Sequence, residues 1–324
     1  MTAMTVTAGA MGLAPAGPAA ASETSQGTIA IHGANTNFLW TIGPDGVGHQ
    51  TPYVLAPGTS PAIAEGPDGP VVAIHGAGTD YLWTIGPDGV GHQTPYVLAP
   101  GTSPAITEGP DGPVIAIHGA GTHYLWTIGP DGAGHQTFFV LAPGTSPAIT
   151  EGPDGPVIAI HGANNHNLWT IGPDGAGHQT PYVLAPGTSP AITEGPDGPV
   201  VAIHGAGTHY LWTIGPDGAG HQTFFVLATD TNPAIAEGPD GPVVAIHGAN
   251  NHNLWTIGPD GAGHQTPYVL ASGTSPAIAA EPDGPEIAIH GAGTDYLWTI
   301  GPDGGGHQSN PPLVLAPGTS PSIG

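Results

Sequence analysis

The sequence predicts an all-β protein, a seven-bladed β-propeller with four antiparallel strands per blade, from three observations. The first is one tryptophan every 43 residues, at Trp40, Trp83, Trp126, Trp169, Trp212, Trp255 and Trp298. The second is four short apolar runs in each 43-residue unit, bounded by Gly, Pro, Asp or Asn, as strands and turns are. The third is thirteen Pro-Asp-Gly triplets at fixed offsets, whose residues suit tight turns. A period in the low forties with four strands per repeat is typical of propeller blades.

Each unit reads as four strands, which we name A to D in chain order. In the second unit they are predicted at Ala62–Glu65, Val71–His75, Tyr81–Ile85 and Thr94–Leu98. Strand A should be innermost and strand D outermost. Because successive strands run in opposite directions, the A–B and C–D turns fall on one face. All thirteen Pro-Asp-Gly turns map there, with a glutamate before each A–B turn, so this face is predicted to be acidic.

The ends of the chain predict how the ring closes. We expect residues 1–27 to be a leader or flexible tail and residues 28–324 to form the propeller. Thr28–His32 matches strand B of a first blade, with no good strand A before it. Ser320–Ile323 matches a strand A with no blade after it, so it should complete the first blade and remove open sheet edges. Pro18–Ala20 is a weaker competitor for that place because it lacks an isoleucine.

Composition narrows the range of partners and compartments. The chain has no Lys or Arg against 24 Asp and Glu, a formal net charge of −24. A chain without fixed cations cannot neutralise phosphates, so we expect no nucleic-acid partner. It has no cysteine, and outside the leader no apolar run long enough to span a bilayer, so we expect no membrane insertion. The leader is small and apolar but lacks the positive n-region of a signal peptide. We expect a secreted or cell-surface protein, and a monomer.

The repeat IHGAGTDYLWTIGPDG…LAPGTSPAI resembles the tandem repeats of bacterial propeller lectins of the tectonin and tachylectin type. It is also similar to modules of secreted actinobacterial proteins. The resemblance covers about residues 28–323 and concerns blade length, the single Trp, the Pro-Asp-Gly turns and the SPAI segment. It implies sugar sites on or between blades, built from aromatic rings and small polar groups. The lack of Arg and Lys departs from many such lectins and argues against charged sugars such as sialic acid.

The blade tryptophans are the first candidates for a ligand site, because an indole can stack on a pyranose and donate one hydrogen bond. The alternative is that they pack between blades as core anchors. The loop before each Trp varies between otherwise similar repeats, either through surface drift or because it contacts a ligand. Blades three and five share one version of this loop, and blades four and six another, which indicates duplication of a two-blade unit. The aromatic candidates that this loop supplies are Tyr81, Tyr124, Tyr210 and Tyr296.

Histidines form a second candidate set. One ends strand B of each blade, near the variable loop, where it could hydrogen-bond a sugar hydroxyl: His32, His75, His118, His161, His204, His247 and His290. The alternative is a structural hydrogen-bonding role. Blades three to six carry further histidines in the loop, but no HxH or HExxH spacing is present. We therefore predict no metal site and no cofactor.

These observations favour a carbohydrate-binding, lectin-like propeller with several equivalent weak sites for neutral glycans or glycoconjugates. The alternative is a non-catalytic structural or protein-interaction scaffold with an acidic face. A cation-binding surface protein is a third hypothesis. The sequence contains no GxSxG elbow, phosphate loop or dinucleotide fingerprint. Near-perfect sevenfold repetition also argues against a single asymmetric catalytic site, so the expectation from sequence is that the protein is not an enzyme.

Overall fold

The structure, a computed structural model, describes residues 27–324 and shows seven antiparallel four-stranded sheets. Within a sheet the strands lie in the order A to D, and in blade 1 the A strand comes from the C-terminal end of the chain. The A strands of neighbouring blades contact one another, which places them innermost. No helix occurs in the described range. The seven-bladed propeller is therefore confirmed, whereas the predicted leader lies, apart from Gly27, outside the described residues.

The strand bounds repeat from blade to blade. Strand A spans Ser322–Ile323 (blade 1), Ala62–Gly66, Ala105–Gly109, Ala148–Gly152, Ala191–Gly195, Ala234–Gly238 and Ala277–Ala279. Strand B spans Ile29–His32, Gly69–His75, Gly112–His118, Gly155–His161, Gly198–His204, Gly241–His247 and Glu286–His290. Strand C spans Phe38–Ile42, Tyr81–Ile85, Tyr124–Ile128, Asn167–Ile171, Tyr210–Ile214, Asn253–Ile257 and Leu297–Ile300. Strand D spans Gly48–Val54, Gly91–Val97, Gly134–Val140, Gly177–Val183, Gly220–Val226, Gly263–Val269 and Gly306–Gln308.

The Pro-Asp-Gly turns between strands C and D have a local cause. In blade 2 the Asp88 carboxylate accepts a hydrogen bond from the Val90 N–H at 3.0 Å, which closes the turn on itself. Gly89 follows with a φ of +74°, in the left-handed region that glycine enters without strain. These aspartates therefore have the structural role that their turn context predicts.

The apolar core lies between blades rather than within one blade. At the interface of blades 1 and 2, Leu39 and Leu55 of the first blade pack against Ile63 and Ile74 of the second. Because side chains of a strand alternate between its two faces, each blade supplies residues to the interfaces on both sides. Single blades consequently depend on their neighbours for burial, as in other repeat folds.

The ring closes as predicted. Ile323 and Ser322 pair with Ile29 and Ala30 of strand B in blade 1. A ring of hydrogen bonds adds to this closure, because one backbone N–H at the start of each A segment donates to a side-chain oxygen of the next. Its members are Ser60, Ser103, Ser146, Ser189, Asn232, Ser275 and Ser320, and the last donates back to the first.

The predicted bounds of strands A, B and D in blade 2 differ from those observed, and strand D differs most. Strand D of blade 2 was expected at Thr94–Leu98 and spans Gly91–Val97. Its first residues pair with strand C, His92 opposite Thr84, although the side chains of His92 and Gln93 are exposed. The tight C–D turn brings the outermost strand into pairing with strand C from its first residues. These residues are polar and exposed, so the start of an apolar run does not mark where strand D begins.

Candidate functional site

Each blade tryptophan lies at the centre of strand C and faces the preceding blade. Trp83 pairs with Ile74 on one side and Gln93 on the other. Its indole packs against Tyr53 of blade 1, with ring centroids 5.7 Å apart. Five further tryptophans have the equivalent contact, with Tyr96, Phe139, Tyr182, Phe225 and Tyr268. In the remaining interface Trp40 packs against a cluster that contains Leu313. The indole is thus part of the packing between blades.

The same indoles are only partly buried, so part of each ring stays accessible to solvent. A glycine at the end of strand B lies against the ring, since a Cβ at Gly76 would lie 2.6 Å from Trp83 Cδ1. No protein acceptor within the described residues bonds to the Nε1–H of any of the seven tryptophans. Of the two roles predicted from the sequence, the core role is present, and the geometry leaves room for the second.

Grooves open beside the tryptophans at the interfaces between blades. The groove at Trp255 has a volume of about 320 Å³ and is walled by Gln265 and the loop residues Asn250 and Asn251 on one side. Its other wall is the end of strand D of blade 5, including Phe224. The groove at Trp169 (about 300 Å³) has the same construction, and so does that at Trp298 (about 320 Å³). These volumes suit a single ring-sized ligand in each groove.

The two walls are held together by backbone pairing between blades. In the first interface the Ala77 N–H donates to the Val54 carbonyl at 2.9 Å, and Leu55 forms a bridge with Gly76. The same pair of contacts recurs at the other blade boundaries. The end of strand D and the following B–C loop therefore form a fixed pair of walls rather than two independent loops.

The histidines of strand B do not reach these grooves. All seven are fully buried. In blade 2, His75 Nδ1 is 2.8 Å from the Thr102 carbonyl of the next blade and Nε2 is 3.2 Å from Asp80. The other blades repeat this arrangement with Asn37, a loop histidine or Asp295 as the second partner. A sugar hydroxyl could contact such an imidazole only by displacing one of these partners. The histidine–sugar contact stays a prediction, whereas the observed hydrogen bonds link neighbouring blades.

The loop histidines are these second partners in blades 3 to 6. His123 Nδ1 lies 2.9 Å from His118 Nε2, and the equivalent pairs are His161–His166, His204–His209 and His247–His252. Burial lowers the pKa of His118, and the neighbouring His123 lowers it further. Burial likewise lowers the pKa of His161, His204 and His247, which favours the neutral form of the inner histidine in each pair. Across residues 27–324 no group of three or more His, Asp or Glu side chains is placed to hold a metal ion.

The position of the predicted tyrosine contacts, at the start of strand C, lies outside the three grooves described above. Tyr296 does not line the groove of Trp298, and Asn167 and Asn253 at the equivalent position do not line theirs. Tyr81, Tyr124 and Tyr210 are partly buried at the first position of strand C. Their carbonyls close the B–C loop by accepting from the glycine after the buried histidine. The structure therefore brings the Trp of each site together with Gln and with the preceding blade, not with these rings.

Sequence reasoning missed the residues of the second wall, because they belong to another repeat. The rings that contact the indoles, such as Phe139 and Tyr182, come from the preceding strand D. The glutamine of the GHQ motif was also overlooked, although it recurs in all seven blades, opposite each tryptophan. Comparing the repeats with one another could have identified the strand D rings, because this strand carries Pro-Tyr in some blades and Phe-Phe in others.

The glutamates before the A–B turns lie apart from the grooves. Glu108, Glu151, Glu194 and Glu237 each have one buried carboxylate oxygen without a hydrogen-bond partner in the described region. Burial raises the pKa of each of these carboxyls.

A larger cavity, of about 570 Å³, opens nearer the C–D turn at the interface of blades 5 and 6. Phe224 and Phe225 line both this cavity and the groove at Trp255.

Comparison with known proteins identifies the fold but no family. No protein-family model matches the sequence, and no curated protein matches it. The chain is similar in structure to virginiamycin B lyase from Staphylococcus aureus (21% identity, 76% of this chain, 82% of that chain, TM-score 0.56). It is similar to puromycin hydrolase (16% identity, 88% of this chain, 53% of that chain, TM-score 0.55). A functionally unknown protein from Desulfotomaculum acetoxidans also matches (13% identity, 90% and 98% coverage, TM-score 0.57). At these identities the likeness shows the propeller fold alone.

The comparisons correct one expectation and leave another open. The prediction that the protein is not an enzyme is overturned, because the lyase and the hydrolase are enzymes that share this fold. Repetition of the blades is therefore no ground for excluding catalysis, although the likeness names no reaction for this chain. The resemblance to tectonin and tachylectin lectins stays a prediction.

The described residues contain no helix long and apolar enough to cross a bilayer.

Proposed function

We propose that this protein binds neutral carbohydrate in the grooves between its blades. The observation that carries the proposal is a partly exposed indole, whose N–H has no protein acceptor in the described chain, lining the same groove of about 300 Å³ as a glutamine side chain. An indole face and edge with a nearby amide offer the stacking surface and the donors and acceptors that a pyranose uses. The absence of Lys and Arg favours an uncharged ligand.

Repetition supports the same proposal. A shallow groove that holds one sugar ring should bind weakly. Several grooves on one rigid ring bind a multivalent surface far more tightly, because each event after the first is intramolecular. The ligand class that fits is therefore a glycan or glycoconjugate displayed in many copies.

A glycan array with neutral and charged glycans tests the proposal. We expect saturable binding to a related set of neutral glycans, competed by the free sugar. Changing Gln93 and its six equivalents to Leu should weaken that binding about tenfold or more, since it removes the amide while keeping side-chain volume. Changing Trp83 and its six equivalents to Phe should have the same direction of effect, with folding checked by circular dichroism.

The opposite results would reject the proposal. Silence across the array, or binding that both sets of substitutions leave unchanged, would remove the grooves as carbohydrate sites. A search for protein partners of a scaffold would then be the next experiment.

A further inference from the structure

Two of the seven interfaces carry a fully exposed aromatic ring. The strand D residue before the ring that contacts the indole is proline in blades 1, 2, 4 and 6. It is Phe138 in blade 3 and Phe224 in blade 5, which are 92% and 91% exposed. Phe138 lines the groove of Trp169, and Phe224 lines the groove of Trp255. Nothing within the described residues covers either ring.

The facing loop differs in the same two grooves. Blades 4 and 6 present exposed amides there, Asn164 and Asn165 in one and Asn250 and Asn251 in the other. The loops of the other blades have Gly-Thr or Asn-Thr at these positions. The backbone differs as well, because Gly121 and its counterparts have positive φ, whereas Asn164 and Asn250 do not. In these two grooves, therefore, both the strand D wall and the loop wall differ in sequence from those of the other five grooves.

These interfaces also lack a stabilising contact. In the Pro-Tyr blades the tyrosine hydroxyl donates to a carbonyl of the next blade's turn, as Tyr96 does to Gly132 at 3.1 Å. Phe139 and Phe225 replace these tyrosines and have no hydroxyl. An exposed phenyl ring and a missing hydrogen bond are both unfavourable for folding. Their coincidence in the two grooves with paired asparagines indicates a role other than stability.

We infer that the grooves between blades 3 and 4 and between blades 5 and 6 are two dedicated glycan sites, stronger than the other five. The inference rests on the proposed function and names which grooves carry it. The exposed phenyl ring supplies a second apolar surface beside the indole, on which the C–H face of a pyranose stacks. The two amides supply donors and acceptors for its hydroxyl groups. With no Lys or Arg in the chain to pair an acid, the ligand is an uncharged pyranoside.

The duplicated two-blade unit explains why there are two such sites. Blades 3 and 4 carry Phe138 and the Asn164–Asn165 loop, and blades 5 and 6 carry Phe224 and the Asn250–Asn251 loop. Each copy of the unit therefore contains one complete groove of this type at its internal interface. The groove between the copies, at Trp212, has Pro181 and a Gly-Thr loop instead.

Fluorine NMR of protein labelled with 5-fluorotryptophan resolves the seven grooves in one experiment. Single Trp→Phe variants assign the resonances, and the probes are the methyl pyranosides of glucose, galactose and mannose. We expect the signals of Trp169 and Trp255 to shift at about tenfold lower sugar concentration than the other five. The double variant Phe138→Pro/Phe224→Pro should abolish that preference, since proline occupies the same strand position in blades 2 and 4.

The control and the outcomes separate this inference from the proposed function. Pro95→Ala/Pro181→Ala, at the same position in neighbouring blades, should leave the responses of Trp169 and Trp255 unchanged. If all seven signals shift together, or the preference survives in the Phe→Pro variant, the inference is overturned while carbohydrate binding stands. If no pyranoside moves any signal and the glycan array is silent, both fail, and the two phenylalanines become candidates for contact with a protein partner.

Discussion

Glu286 shows how one residue can depart from the repeat at a measurable energetic cost. It occupies the position of Val71, Val114, Val157, Val200 and Val243 in other blades. Its side chain is only 4% exposed, and its Oε2 has no hydrogen-bond partner in the described chain. Burial, and next the charge of Glu281, raise the pKa of this carboxyl to about 7. Between about pH 4.5 and 7 the folded protein therefore keeps a proton here that the unfolded chain, with its carboxyl pKa near 4.5, releases.

The substitution Glu286→Val should stabilise the protein in a pH-dependent way. Because the folded-state pKa is raised, the stability that this proton provides is present below pH 4.5 and is lost as pH rises through about 7. The gain on substitution should therefore be larger at pH 8 than at pH 5, by roughly 1–3 kcal/mol. Urea unfolding at the two pH values measures it. The reciprocal variant Val243→Glu should lose stability, and lose more at pH 8. An equal gain for Glu286→Val at both pH values would contradict protonation on folding.

At the scale of strands, the outermost strand of a blade contacts and stabilises the next blade. Strand D is exposed along most of its length, yet its aromatic residue packs on the following Trp and, when it is tyrosine, bonds the following C–D turn. Tyr53 donates to the Gly89 carbonyl at 3.3 Å and accepts from the Gly91 N–H. The Phe-Phe blades keep the packing and lose these hydrogen bonds, so two interfaces have the aromatic contact without the hydroxyl contact.

Restoring the hydroxyl should strengthen those two interfaces. In Phe139→Tyr and Phe225→Tyr the new hydroxyl reaches the backbone of residues 175–177 and 261–263, by analogy with Tyr53. We expect a gain of about 0.5–1.5 kcal/mol for each substitution, measured by thermal or chemical unfolding. The matched controls are Phe138→Tyr and Phe224→Tyr, whose exposed rings have no partner to reach and should leave stability unchanged. If the buried-ring and exposed-ring substitutions behave alike, the hydroxyl contact does not stabilise the interface.

Closure is a property of the whole molecule, because the first blade is assembled from both ends of the described chain. Ile323 is buried at the centre of this closure, and the Gly324 and Thr28 backbones exchange two hydrogen bonds at 3.1 Å. The Ser320 N–H completes the hydrogen-bonded ring by donating to Ser60 at 2.9 Å. Loss of the C-terminal strand would remove the innermost strand of blade 1 and expose the apolar interfaces on both sides of that blade.

Deleting residues 320–324 should therefore cost much more than removing one link of the ring. Loss of the buried Ile323 and the strand pairing should lower the free energy of unfolding by about 3–5 kcal/mol. Ser60→Ala removes only the oxygen that accepts from Ser320 and should cost about 1 kcal/mol. Chemical denaturation of both variants gives the comparison. A truncated protein as stable as the Ser60→Ala variant would show that the C-terminal strand does not stabilise the ring.

The sequence by itself determined the seven blades, the four strands in each, the turns and the closure. These features depend on spacing and local chemistry: a Trp every 43 residues, proline and glycine where a turn needs them, and an isoleucine that a lone strand must bury. Within the candidate site it also identified the tryptophans and the loop that varies.

Only the tertiary structure decided what surrounds those tryptophans. Each groove has one wall from each of two blades, so Phe138 lines the same groove as Trp169 across a blade boundary that the repeat pattern does not reveal. The sequence suggests the strand B histidines as site residues, but it does not show that the Thr102 carbonyl of the next blade lies at hydrogen-bond distance from His75. Periodicity fixes what each repeat contains. The contacts between repeats fix which of its side chains stay free, because burial and hydrogen bonding are settled by neighbours distant in the chain.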